Sequence, residues 1–245
     1  MIAYHKTRGI VLHLVKFGDT SVIAKIYTED FGLQSYMVKG VRQKKHKVGP
    51  GLFQHLSLLD LDVTHKENSN IQHIKEVKSA YPFQQIPFDI VRSSIALFLN
   101  EVIYKSLKEG DPHAELFEFL FTAIQVLDVS STTQSCFHHW FCLQFAKKLG
   151  FFPMSNYSAR DHIFDMQEGM FQDYKPQHSN YIDIPYSKFF YDLSLLSHEA
   201  LNGFTLPNSQ RRQLLKIILE YYQLHLQGFK DVKSHEVLEK IMSEE

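Results

Sequence analysis

The pattern of apolar and polar positions changes character once along the chain. Over the first eighty residues it alternates with a period of two and is broken at short intervals by turn signals, the signature of an all-β unit. Five strands are predicted, at residues 7–16, 20–28, 33–38, 56–64 and 71–78. In the second, Val22, Ala24 and Ile26 oppose Ile23, Lys25 and Tyr27, and Phe17-Gly18-Asp19 before it reads as a hairpin turn. Polar Lys66-Glu67-Asn68-Ser69-Asn70 separates the last two strands. Five short strands in this length fit a small barrel, and the five-stranded OB type is the natural candidate.

Pro82 and Pro87 within Tyr81-Pro82-Phe83-Gln84-Gln85-Ile86-Pro87 impose an extended path and end the strand pattern. The domain boundary is placed there, with a barrel over 1–80 and a mainly helical domain over 81–245. From Phe88 the period becomes that of an amphipathic helix: Ile90, Ile95, Phe98, Leu99, Val102, Ile103 and Leu107 form one apolar stripe, and Asp111-Pro112 opens the next helix. Helices are predicted to about Leu149. Residues 151–187, rich in Gly, Pro, Asn, Asp and Tyr, read as an irregular insertion in which Ile163-Phe164-Asp165-Met166 and Met170-Phe171 make a small β-hairpin. Helices resume near Phe189 and include 210–226, where Leu214, Leu215, Ile218, Tyr221 and Tyr222 supply the buried face. The expected class is therefore α+β, a five-stranded OB-fold barrel followed by helices that carry a hairpin insertion.

Charge changes the picture. The chain's net charge of −1 conceals a split: residues 1–80 hold twelve Lys and Arg against seven Asp and Glu, and the remainder fourteen against twenty. A basic module joined to an acidic body confines the polyanion-binding surface to the first third. Its centre is Lys39-Gly40-Val41-Arg42-Gln43-Lys44-Lys45-His46-Lys47, which carries five fixed positive charges and a histidine, with no acidic residue between Phe31 and Leu59. Gly40, Gly49, Pro50 and Gly51 make it a projecting loop that follows a phosphate backbone without reading bases. The expected DNA-binding set is Lys6, Arg8, Lys16, Lys39, Arg42, Lys44, Lys45, His46 and Lys47, with Tyr36 as an aromatic on which a base stacks. Tyr27 and Phe31 are weighed for the same stacking role against an equal claim of the core.

Other chemistry is excluded or ranked below this. No Walker loop, G-x-S-x-G or H-E-x-x-H occurs, so no catalytic residue is named. A nuclease centre on Asp60, Asp62 and Glu67 gives way to the simpler reading of a strand's solvent face. Cys136, His139 and Cys142 span about 120° of a helix, but lie among Phe137, Trp140, Phe141 and Leu143 and read as core. The two cysteines, six residues apart, point about 120° apart around the helix and are expected to stay unpaired, as in a reducing compartment. The opening residues form neither a signal peptide nor a spanning helix, so the expectation is a soluble, cytoplasmic, nucleoid-associated protein with no membrane partner.

His5-Lys6-Thr7-Arg8-Gly9-Ile10-Val11-Leu12, the segment 20–28 with Phe31-Gly32-Leu33, and Lys39-Gly40-Val41-Arg42 resemble the N-terminal domain of the bacterial RecO recombination mediators. Residues 145–153 (Phe-Ala-Lys-Lys-Leu-Gly-Phe-Phe-Pro) and 164–171 (Phe-Asp-Met-Gln-Glu-Gly-Met-Phe) resemble their C-terminal region, and the order of these pieces covers nearly the whole chain. The resemblance implies an OB-fold and a helical domain that bind single- and double-stranded DNA and anneal complementary strands. It further implies action with RecR and the single-stranded-DNA-binding protein SSB to load RecA. On it rests the expectation that Arg211, Arg212 and Lys216 receive the acidic C-terminal tail of SSB; a scaffold that holds this tail with little direct DNA binding is the alternative. Many family members hold a structural zinc with four cysteines in the insertion. This chain has none there, so no cofactor or metal is expected and aromatic packing is expected to hold the hairpin.

Overall fold

A computed structural model describes residues 4–18, 21–39, 50–66, 69–130 and 135–242. The chain divides into two compact units, Met1–Val129 and Ser130–Glu245.

The first unit is built on a closed barrel of β1 (Tyr4–Phe17), β2 (Ser21–Thr28), β3 (Gly32–Val38), β4 (Leu58–Thr64) and β5 (Gln72–Tyr81), in the order β1-β2-β3-β5-β4. All pairings are antiparallel except β3 with β5, the five-stranded OB arrangement the alternation predicts. Period-two alternation sends Val22, Ala24, Ile26, Tyr36, Val38, Leu59, Leu61 and Val63 inward to one core, closed by Phe53 of the short 3-10 turn Pro50–Phe53. Gly9 sits where the strands close most tightly: a β-carbon there would fall 2.7 Å from both Ile26 and Leu61 side chains.

The outside of the barrel is covered in part. Helices α1 (Ile90–Ser106) and α2 (Ala114–Val129) belong to this compact unit, and their apolar stripes bury Ile10, Leu12 and Tyr27, which point away from the barrel core. Asn100 of α1 donates to the Leu12 carbonyl at 2.8 Å, and the Tyr27 ring lies 6.0 Å from that of Phe117 in α2. The turn between the helices is stitched to the β2–β3 hairpin: the Gly110 amide donates to the Leu33 carbonyl at 3.1 Å, and Lys25 pairs with Glu109. Gly32 in that hairpin has a φ of +63°, and a β-carbon on it would lie 2.6–2.7 Å from the backbone of Asp111.

Beyond Leu12 the architecture thins. β1 pairs with β4 only from Tyr4 to Ile10, shifts register between Val11 and His13, and then runs on with β2 alone from His13 to Phe17. The β1–β2 hairpin therefore extends past the region the helices cover, with residues 13–18 exposed.

The second unit is helical, with α3 (Phe137–Leu149), α4 (Tyr186–Leu195), α5 (Asn208–His225) and α6 (Ser234–Ile241), the last unforeseen from the sequence. Its insertion forms a three-stranded sheet, β7-β6-β8, from β6 (Ile163–Asp165), β7 (Met170–Gln172) and β8 (Tyr181–Ile182). The predicted hairpin pairs Ile163 with Gln172 and Asp165 with Met170. Tyr222 of α5 donates to the Cys142 carbonyl of α3 at 2.6 Å, and Trp140 to the Leu196 carbonyl at 2.8 Å. Cys136 and Cys142 are free and buried. No helix among the described residues is long and apolar enough to cross a membrane.

Candidate nucleic-acid interface

The expected DNA-binding residues fall into three groups. Lys6 and Arg8 lie on the outer face of β1, β4 and β5. There they line a groove of about 400 Å3 together with Glu29, Asp60, Asp62, Glu76 and Lys78. Lys6 stands opposite Asp62 in the β1–β4 register, and Asp62 also meets Lys75 at 3.5 Å. Arg8 is a clamp: it donates to both oxygens of Glu29 at 2.8 and 2.7 Å, pairs with Glu118 of α2, and lies over the rings of Phe117 and Phe121 at 5.2 and 5.0 Å. These bonds raise the guanidinium pKa further and hold the Glu29 carboxyl below its usual range. A phosphate approaching this face would meet the four carboxylates of the groove and Glu118 beside Arg8, which offset its lysines and arginine.

Lys16 and Lys39 form the second group, at the opposite end of the β1–β2–β3 sheet. Lys16 pairs with Val22, and Val22 with Val38, so the end of β3 and the hairpin end of β1 reach the same level. Both lysines are exposed. No acidic residue occurs in β2, in β3 or in β1 beyond Leu12; Asp19, in the intervening turn, lies outside the described residues. Lys39 leads directly into the basic segment. Arg42, Lys44, Lys45, His46 and Lys47 lie outside the described residues, but Lys39 and the 3-10 turn at Pro50 anchor the segment at its two ends.

The third group is aromatic, and here the sequence expectation needs correction. Tyr36 is fully buried at 0% exposure, in the barrel core with Val22, Ala24 and Val38, where its ring cannot meet a base. Burial pushes its hydroxyl up to about 12. Tyr27 is also fully buried, against Phe117, and Phe31 stacks on His65 at 4.3 Å. The strands do expose two aromatics, Tyr4 at 48%, under Lys75, and Phe17 at 51%, next to Lys16 in β1. The signal for Phe17 was its place just before a hairpin turn and next to Lys16.

In the second unit, Arg211 and Arg212 line a small cavity of about 20 Å3 floored by Leu215, Leu238 and Met242 and backed by His138 and His139. His139 Nε2 lies 2.8 Å from the Arg211 carbonyl. Arg212 and Lys216 face a wider groove of about 900 Å3 along α5 and α6, which also presents Lys233 and the acids Glu220, Asp231, Glu236 and Glu239. A structural zinc does not fit the insertion. Residues 151–187 contain no cysteine, and the buried Asp165 carboxylate is engaged by the Gln167 and Glu168 amides at 2.9 and 3.1 Å. The place of a metal core is filled by rings: Phe164 lies 4.8 Å from Phe171, 4.9 Å from Phe190 and 5.6 Å from Tyr221.

A closed five-stranded barrel with one cationic, uncovered end, followed by helices that carry a hairpin without cysteines, defines an OB-fold protein of the α+β class. The comparisons carry this to a family. Residues 1–83 match the family model described as recombination protein O N terminal, and residues 87–235 the one described as recombination protein O C terminal. Proteins named DNA repair protein RecO are similar over nearly their full length. That of Phocaeicola vulgatus is 36% identical over 238 residues, covering 97% of this chain and 99% of the relative. That of Bacteroides fragilis is 38% identical over 238 residues (96% and 98%), and that of Flavobacterium psychrophilum 35% over 240 residues (97% and 99%). The chain belongs to the RecO family of DNA repair proteins.

Proposed function

We propose that this protein binds single- and double-stranded DNA through the cationic end of its barrel and acts as a recombination mediator without chemically transforming the DNA. On this reading it anneals complementary strands and, with RecR, helps load RecA onto strands coated by SSB. The observation that carries the DNA site is the asymmetry of the barrel. Lys16 and Lys39, from which the basic segment continues in the chain, share one end whose strands hold no acid, while Lys6 and Arg8 are held among carboxylates on another face. Neutralising phosphates on two strands removes their mutual repulsion, which permits annealing without nucleotide hydrolysis.

The test is fluorescence anisotropy of a labelled single-stranded oligonucleotide across a salt series. If about five phosphates are neutralised, the log–log slope is roughly −3.5 for the wild type. It flattens markedly when Arg42, Lys44, Lys45 and Lys47 are changed to Ala. An unchanged slope would remove the basic segment from the site and turn attention to Lys147, Lys148 and α5. ATP turnover by the purified protein would sink the non-enzymatic reading.

A second reading concerns the helical unit, as a receptor for the SSB C-terminal tail. It is favoured by the juxtaposition of Arg211 and Arg212 with apolar Leu215, Leu238 and Met242, the combination an acidic peptide with an apolar end requires, although Glu239 shares the lining and the cavity itself, at about 20 Å3, would have to open to seat the apolar end. A peptide ending in Asp-Asp-Phe should bind the wild type and lose affinity to Arg212→Glu. Equal binding by both proteins would reject the assignment.

A further inference from the structure

The β1–β2–β3 sheet has an outer face that the helices only half cover. On the covered half, Ile10, Leu12, Tyr27 and Leu33 are buried. The cover ends at His13, whose ring stacks on Tyr104 of α1 at 5.1 Å. Past that point the same face continues bare. Side chains on one face of a sheet follow its cross-strand pairs, so the register sets Val15, Ile23 and Met37 in one row and Phe17 beside Ser21 in the next. Lys39, two residues beyond Met37, continues that face at the level of Phe17. Val15 is 46% exposed and Phe17 51%, with Ile23 and Met37 half-buried.

This is an unpartnered apolar strip two rows deep, bordered on its own face by Lys39 and by Lys25, which pairs with Glu109, while Lys16 lies on the opposite face of the same strand end. We propose that the strip is a stacking platform for unpaired bases, with Phe17 as the ring on which a base lies and Val15, Ile23 and Met37 as its apolar continuation. The proposal rests on the DNA-binding reading above and deepens it by assigning single-strand recognition to this face. Charge selects the occupant. The strands that carry the platform hold no acidic residue, β3 leads into Lys39 on the platform's own face, and Lys16 adds charge at the same end from the opposite face, so a polyanion that also presents flat apolar surfaces satisfies both halves of it. Single-stranded nucleic acid has that combination, a charged backbone and bases with free faces. A duplex has the charge, but its base faces are stacked inside, so it gains nothing from Phe17.

The experiment compares wild type, Phe17→Ala, Phe17→Trp and the four-fold Ala variant of the basic segment. Each is titrated against a labelled oligothymidine and a blunt duplex of matched length at several salt concentrations, with melting curves as a control for folding. Phe17→Ala should weaken oligothymidine binding roughly 5- to 150-fold, the range of one lost base–aromatic stack. Its salt slope and duplex affinity should stay those of the wild type, because no phosphate contact is removed. Phe17→Trp should restore binding, with its fluorescence quenched by oligothymidine in excess of any change from Trp140. Unchanged oligothymidine affinity in Phe17→Ala, with binding lost in the four-fold variant, would overturn the platform and leave the DNA-binding reading intact. Equal weakening on both substrates would also overturn it. A wild type that binds neither substrate would end both, and a change in the oligomeric state of Phe17→Ala in place of its DNA affinity would assign the strip to a second copy of this chain.

Discussion

Asp128 fixes the join between barrel and helices, and the cost of altering it follows from the structure. It lies in the last turn of α2 with no exposure, and its carboxylate accepts the backbone amides of Gln84, Gln85 and Ile86 at 2.8, 2.9 and 2.8 Å and the Tyr81 hydroxyl at 3.1 Å. Its own carbonyl accepts Arg92 of α1 at 3.1 Å. Burial disfavours the charge, but the three amides and the Tyr81 hydroxyl outweigh it and hold the acid below its ordinary value. Asp128→Asn preserves shape and removes one acceptor oxygen. Each oxygen serves one or two backbone amides, so at least one amide is set against an NH2 donor and the remaining bonds lose their charge assistance. An orphaned buried amide costs about 1–3 kcal/mol and the lost assistance adds to it, so the variant should be destabilised by about 3 kcal/mol at neutral pH. A carboxyl whose folded pKa is depressed contributes stability above its unfolded pKa and loses it as pH falls through the folded value. The gap between wild type and variant should therefore be constant near neutrality and shrink below about pH 4. Urea denaturation followed by far-UV circular dichroism reads the gap. Hydrogen exchange gives the local reading, with faster exchange at Gln84, Gln85 and Ile86 in the variant. A midpoint within error of the wild type, or a gap that stays flat into acid, would refute the reasoning.

Three further outcomes follow from other parts of the fold. Gly32→Ala should cost well over the roughly 1–2 kcal/mol of a left-handed residue, because its β-carbon meets the Asp111 backbone, whereas Gly18→Ala, at φ +65° with open space around it, should cost only that backbone strain; paired thermal melts compare them. Arg8→Ala should lower stability by at most about 2 kcal/mol, since its ion pairs are a third to a half exposed, and should leave the salt slope of DNA binding unchanged; a flattened slope would return Arg8 to the DNA site. Burial lowers the His139 pKa to about 4, and His138 moves the same way, so the folded second unit holds both neutral while the unfolded chain protonates them below about 6.5. Stability of that unit, followed by Trp140 fluorescence, should accordingly fall as pH drops below 6.5, by about 2 kcal/mol at pH 5 from His139 alone, and a unit equally stable at pH 5 and 7 would contradict the burial argument.

What the sequence made legible, and what it hid, divides along local and non-local lines. Strand positions, the hairpin at Phe17-Gly18-Asp19, the α1 stripe and the 163–171 hairpin were readable because each is a pattern of adjacent residues. The fate of the aromatics was not. Alternation separates two faces of a strand but does not say which is wet, and in this barrel α1 and α2 cover part of the outer face as well. Tyr36 on the inner face and Tyr27 on the outer are therefore equally buried. Arg8 looked like a free cation because its partners are Glu29, across a hairpin, and Glu118, on a helix 110 residues away. The pairing of Lys6 with Asp62 depends likewise on a β1–β4 register that no local pattern encodes.

The same geometry turns a diffuse charge into a directed one. Residues 1–80 carry five more bases than acids, a number compatible with weak attraction over the whole surface. The structure removes one face from that count: Lys6, Arg8, Lys75 and Lys78 stand with Glu29, Asp60, Asp62 and Glu76, four against four. The whole excess of five therefore lies elsewhere, and most of the bases that make it are Lys16 and Lys39, at one end of the sheet, and those of residues 42–47, which follow Lys39 in the chain. A polyanion diffusing toward the barrel meets attraction at that end and near-neutrality on the β1–β4–β5 face, so encounter already orients it. On the proposed reading, the bare row of Phe17 lies beside that end, so that long-range charge would set where a strand lands and the short-range apolar strip what kind of strand stays.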